Sequence, residues 1–106
     1  MDSLLLSRRD LDFLLHDWLD VTALTARGRY AEHDRETVDA VLDLSAEIAA
    51  RHFAPHNKKN DAQEPVFDGE RVHVIPEVGR ALWVFADSGL AGAAMDRAVG
   101  GQQLPQ

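Results

Sequence analysis

Apolar residues recur along the first third of the chain at helical spacing. Leu11, Leu14, Leu15 and Trp18 fall on one face, while Asp12, His16 and Asp20 fall on the other. Asp10 stands where an N-cap belongs. The pattern weakens through Ala23 and Leu24 and stops at Arg27-Gly28, a cation followed by glycine, as helix ends prefer. A helix is therefore expected from about Leu11 to Ala26, with a break near Asp20. The next pattern is stronger. After Asp34, a second candidate cap, the residues Val38, Val41, Leu42, Ile48, Ala49 and Phe53 make an apolar stripe. Asp39, Asp43 and Glu47 follow one another at steps of four on the opposite side, and Glu47 is spaced to pair with Arg51. Pro55 lacks the N–H a helix interior needs and disfavours helical backbone at Ala54, so this helix is expected to run from Asp34 to Phe53.

Periodicity then lapses. His56 to Glu64 is polar and closed by Pro65, which reads as an exposed connection. Val66 to Val74 places Asp68-Gly69 between short apolar pieces; flanks so short predict an extended loop with a tight turn rather than a stable hairpin. Pro76 and Glu77 open a third helix that turns Val78, Leu82, Phe85 and Ala86 inward and ends at Asp87-Ser88-Gly89. Trp83 and Val84 lie off that stripe, so Ala81 to Ala86 is apolar nearly all round, the pattern of a helix covered on more than one side. The expected fold is all-α, a small bundle of three to five helices in a single domain spanning 1–106.

Composition narrows the function classes. At 106 residues one core is the default, and 45% hydrophobic with 27% charged residues is ordinary for a globular domain. Eleven Lys and Arg against eighteen Asp and Glu leave a formal net charge of −7, with the basic residues scattered. Phosphate backbones and anionic lipid are repelled on average, so neither nucleic acid nor a membrane surface is an expected partner. There is no cysteine for a disulfide, an iron–sulfur cluster or thiol catalysis. The opening Leu4-Leu5-Leu6 run is too short for a signal peptide and its arginines come after it, and no apolar stretch approaches the ~20 residues of a membrane span. A soluble, cytoplasmic protein is expected.

The chain offers little catalytic chemistry. His52 and His56 have the four-residue spacing of helical metal ligands, but Pro55 lies between them and no third ligand comes at a recognisable spacing. His16, His33 and His73 are isolated from any Ser, Cys or Asp arrangement that would make a catalytic unit. Asp39, Asp43 and Glu47 read as a solvated helix face rather than an acid–base cluster, and Gly100-Gly101 reads as a turn, since it lacks the strand, the third glycine and the lysine of a phosphate loop. No residue is expected to act in catalysis, cofactor binding or metal binding.

One resemblance gives that emptiness a meaning. Arg29-Tyr30-Ala31-Glu32-His33-Asp34-Arg35-Glu36-Thr37, Phe53-Ala54-Pro55-His56-Asn57, Phe67-Asp68-Gly69-Glu70-Arg71-Val72 and Gly100-Gly101-Gln102-Gln103-Leu104-Pro105, in that order, resemble the N-terminal helical domain of acyl-CoA dehydrogenases. The resemblance runs from about Leu11 to the end. It implies a flavoenzyme that uses FAD to remove a pair of hydrogens from the α and β carbons of an acyl-CoA thioester, with a central β domain and a C-terminal helical domain holding the glutamate base and most flavin contacts. It also implies that this domain walls the flavin and acyl pocket and is inactive alone. FAD therefore belongs to the complete enzyme and is not expected on this chain by itself. The expected partners are the remaining domains or subunits, further copies in a homo-oligomer, and acyl-CoA through the complete enzyme. The rival expectation is a free-standing helical interaction or oligomerisation module that uses Trp83 and Val84.

Overall fold

The computed structural model describes residues 3–106, and among these the chain is mostly helical with one two-stranded sheet. Helix α1 spans Arg8–Asp12 and is capped by Ser7, whose hydroxyl accepts from the Asp10 N–H at 3.2 Å. The cap thus lies three residues before the expected Asp10. The helix then widens into a π-helical segment, Phe13–Trp18, closed by the Leu19 N–H donating to the Leu14 carbonyl at 2.9 Å. A π turn advances by fewer degrees per residue than an α turn. Of the apolar stripe drawn on 3.6-residue spacing, Leu11 and Leu15 stay half-buried while the rest turns outward. Trp18 is 70% exposed and Leu14 is exposed, whereas His16, expected on the outer face, is buried. Asp20 sits in the left-handed region (φ 49°) and breaks the helix where a break was expected, but the continuation is 3-10 helix, Val21–Ala26 and Gly28–Tyr30, rather than α.

Helix α2, Arg35–Ile48, starts as expected at Asp34, whose Oδ1 accepts from the Thr37 N–H at 2.8 Å and the Thr37 hydroxyl at 2.9 Å. The Thr37 backbone N–H, above all, holds the Asp34 carboxyl below its ordinary value. Beyond Ile48 the path continues as π helix (Ala49–Phe53), a 3-10 turn (Ala54–His56) and a further α-helix, α3 (Asn57–Ala62). The connection expected from His56 to Glu64 is exposed from Asn57 on, but it is helical rather than irregular. Pro55 stands near the start of the 3-10 turn, where its missing N–H removes no bond of that turn. It ends the α pattern without ending the helical path.

A hairpin, expected only as an extended loop, is present in its shortest form. Strand β1 (Val66–Phe67) pairs antiparallel with β2 (Val72–His73) in the register Val66 to His73 and Phe67 to Val72. Asp68 supplies what the short flanks lack. Its Oδ1 accepts from the N–H groups of Glu70 (2.8 Å) and Arg71 (2.9 Å), and its Oδ2 accepts from His73 Nε2 at 2.5 Å. The Arg71 N–H, then His73, bring the Asp68 carboxyl from 3.8 down to about 2. A folded-state value below the unfolded one means the turn gains its full stabilisation above the ordinary carboxylate value and loses it as pH falls towards 2. An NMR titration of Asp68 should therefore show a midpoint near 2, and His73→Ala should raise it; a midpoint at the ordinary value in the native chain would refute the contact.

Helix α4, Pro76–Asp87, starts after the extended, buried Ile75, as the residue before proline prefers, and ends at Gly89 in the left-handed region (φ 85°). Its innermost residue is Ala81, 1% exposed, packed towards the π-helical end of α2. Val78 and Phe85 are half-buried as expected. Leu82 and Ala86, expected inside, are exposed, and Trp83 is 78% exposed.

The arrangement is a slab of 52 × 35 × 18 Å with a radius of gyration of 17.0 Å, where a compact chain of this length has about 13 Å. It exposes 8160 Å², against about 5,900 Å² for a compact monomer of its mass. No large side chain among the described residues is wholly enclosed. The elements form without closing a core of their own.

Candidate functional site

The densest charged cluster joins α1 to α2. Arg8 reaches Asp12 Oδ1 through Nε at 3.0 Å and Asp43 Oδ1 through Nη1 at 2.5 Å, and its Nη2 donates to the Asp39 carbonyl at 3.3 Å. Asp12 and then Asp43 raise its guanidinium further above the ordinary arginine value. Behind it, His16 Nε2 donates to Asp39 Oδ1 at 2.9 Å; the imidazole is 3% exposed, and its buried Nδ1 has no partner. Of the three carboxylates expected on a solvated face, Asp39 is partly covered by the segment carrying His16, whereas Asp43 stays 72% exposed while it pairs with Arg8, and Glu47 keeps the expected outward pairing with Arg51, at 3.0 Å.

One ligand atom each from Asp12, His16 and Asp39 lies within 4.8 Å of the others, a set of two carboxylate oxygens and one imidazole nitrogen that borderline-soft divalent metals accept. Arg8, however, already supplies the positive charge to the same carboxylates. The cluster acts as a polar clasp between helices. Sequence reading missed it because its members are far apart along the chain, Arg8 and His16 on one helix and Asp39 and Asp43 on another.

A second clasp closes the far end. His33, isolated in sequence, is buried and donates through Nε2 to the Gln102 carbonyl at 2.7 Å. Gln103, held at φ 53°, accepts from the Arg97 N–H at 2.9 Å and donates to the Arg29 carbonyl at 3.0 Å. Arg29 pairs with Asp96, and Arg97 with Glu32 at 2.5 Å. Gly100-Gly101 is the turn the sequence suggested, with Gly100 at φ 89°. Gly101 is buried, and a β-carbon there would run into the Met95 backbone.

A concavity of about 710 Å³ lies between α4 and the segment from Arg51 to His56. His52 and His56 both line it, because the chain winds on through Pro55 instead of leaving the helix. Arg51, Arg80 and Trp83 complete its mouth. Glu77 lies on its wall, bridged by Lys59 Nζ at 2.7 Å and Arg80 at 3.5 Å, and Lys59 chiefly lowers its carboxyl below the ordinary value. A smaller, almost wholly apolar groove of about 370 Å³ runs between α2 and α4, walled by Ile48, Ala49, Phe53, Leu82, Phe85 and Leu90. None of these places joins a nucleophile to a base.

No family model, curated protein or solved structure matches the chain. No helix among the described residues is long and apolar enough to cross a membrane.

Proposed function

We propose that this chain is the N-terminal helical domain of an acyl-CoA dehydrogenase-like flavoenzyme, which walls the flavin and acyl pocket of the complete enzyme and is not catalytic alone. The observation that carries the reading is the incomplete core. The chain exposes 8160 Å², about 2,300 Å² more than a compact monomer of its mass. The excess includes Leu82 and the apolar groove that it lines between α2 and α4. A domain whose helices are completed by others would leave such surface uncovered. The order of motifs from Arg29 to Pro105 supplies the family, and the cofactor FAD and the acyl-CoA substrate belong to the central and C-terminal domains of that family.

Two outcomes are required. The purified chain should show no flavin absorbance and no oxidation of acyl-CoA with an artificial electron acceptor; stoichiometric FAD on the isolated chain would overturn its inactivity. The genomic reading frame beyond Gln106, or a neighbouring one, should encode a β domain and a helical domain with a glutamate base, and a locus without them would overturn its parentage. The exposed Trp83 favours a second reading, a free-standing interaction module.

A further inference from the structure

Two exposed features of this chain have opposite character. One is the concavity bounded by Arg51, His52, His56, Arg80, Trp83 and Val84. Its floor is apolar, and its rim carries two guanidinium groups, each 73% exposed, Arg51 paired with Glu47 at 3.0 Å and Arg80 with Glu77 at 3.5 Å, while Lys59 also holds Glu77 at 2.7 Å. Three cations against two carboxylates, Glu47 and Glu77, still leave this rim positive on a chain whose net charge is −7. At about 710 Å³ it lies within the roughly 300–1,000 Å³ typical of ligand-holding clefts, and Trp beside Arg is the side-chain chemistry that dominates interface energetics.

The other feature is the corner Asp17-Trp18-Leu19-Asp20. It ends the π-helical segment, and Asp20 in the left-handed region turns the chain sharply there. Trp18 is 70% and Leu19 62% exposed, with an exposed carboxylate on either side of them. No basic side chain among the described residues pairs with Asp17 or Asp20. Two large apolar side chains between carboxylates that meet no cation, Asp20 accepting only from the Thr22 hydroxyl at 3.3 Å, are the complement of an apolar pocket with a positive rim.

We propose that two copies of the chain pair reciprocally, the Asp17-Trp18-Leu19-Asp20 corner of each seating in the cation-rimmed pocket between Arg51 and Trp83 of the other. Reciprocal exchange closes on a two-fold axis, so the assembly stops at two. The excess exposed surface, about 2,300 Å² per chain, exceeds the ~800 Å² that each partner buries in an interface of standard size. Charge selects the docking: the acidic corner meets cations in the pocket and carboxylates over much of the remaining surface. This pairing does not depend on the dehydrogenase reading, and neither flavin content nor downstream sequence bears on it.

Sedimentation of the full chain over a range of micromolar concentrations tests the proposal. The wild type should dimerise. Arg51→Glu with Arg80→Glu should be monomeric, and so should Asp17→Arg with Asp20→Arg. An equimolar mixture of the two variants should dimerise again, since one seat then joins the two reversed partners and the other joins the two native ones. Trp18→Ser and Trp83→Ser leave every ion pair in place and should each weaken the dimer about tenfold or more; they decide the matter if a charge reversal loses its helical circular dichroism. A wild type that stays monomeric, a dimer indifferent to these changes, or a mixture of folded variants that fails to re-associate would overturn the proposal.

Discussion

Gly101→Ala should release the C-terminal end of the chain from the rest of the domain. A β-carbon at this position would lie 2.1 Å from the Met95 carbonyl oxygen and 2.4 Å from its carbon, distances no real contact shows. The obstacle is backbone, which cannot step aside by changing a rotamer. Met95 is also tied into the same knot, because its carbonyl accepts from the Gln103 N–H at 3.0 Å while the Gly101 N–H donates to the Asp96 carbonyl at 2.9 Å. Relieving the clash must break one of these bonds and pull Gln102 from His33. Overpacking costs about 1–3 kcal/mol, and a rigid neighbour places this substitution at the upper end. Thermal denaturation should show a fall of many degrees, with faster amide exchange at Gln103 and Leu104. Gly28→Ala is the control: nothing lies within 4 Å of its β-carbon position, so the melt should barely move. Equal melting of the two variants would contradict the close approach.

Asp39→Ala should be the most damaging change at the other clasp. Asp39 Oδ1 is the one acceptor for His16 Nε2 and lies 3.8 Å from Arg8 Nη2, while its Oδ2 lies 3.9 Å from Arg35 Nε. Without the carboxylate, an imidazole already lacking a partner at Nδ1 loses its other one in a dry site. Leaving a buried donor unsatisfied costs about 1–3 kcal/mol. Asp39→Asn keeps an acceptor for His16 and gives up the charge, so its melting temperature should fall between those of wild type and Asp39→Ala. Should Asn and Ala prove equally harmful, the ionic contacts to Arg8 and Arg35 matter more than the buried hydrogen bond.

Local chemistry was legible in the sequence wherever one residue decides it. Asp34 caps α2, Asp20 breaks the first helix, Pro76 opens α4 and Gly89 closes it, because each acts through backbone groups only two or three residues away. Facing direction was less legible. The stripe through Leu14 and Trp18 assumed an α period that the π segment does not keep, so Trp18 turned outward and His16 inward. A similar error reached α4, where Leu82 was expected inside on periodicity alone, although what decides burial is whether anything stands opposite. Both clasps were out of reach for a different reason. Arg8 with Asp43, or His33 with Gln102, join residues whose separation along the chain carries no period. Asp68 lay between: its turn was visible in Asp-Gly, but the three hydrogen bonds that stabilise so short a hairpin were not.

The widened turns at Phe13–Trp18 and Ala49–Phe53 also bear on how this sequence can change. A π turn holds one residue more than the α turn it replaces, which is the mark a single-residue insertion leaves in a helix. Removing one residue from Phe13–Trp18 would let regular α winding resume and swing the N-terminal turns by about 100° relative to the remainder of the chain. Arg8 would leave Asp43, and the Ser7 cap would point elsewhere. The reading frame of this helix is thus pinned by contacts at both ends of the bulge. In this stretch a one-residue deletion should be tolerated less readily than most substitutions, the reverse of what holds in a surface loop.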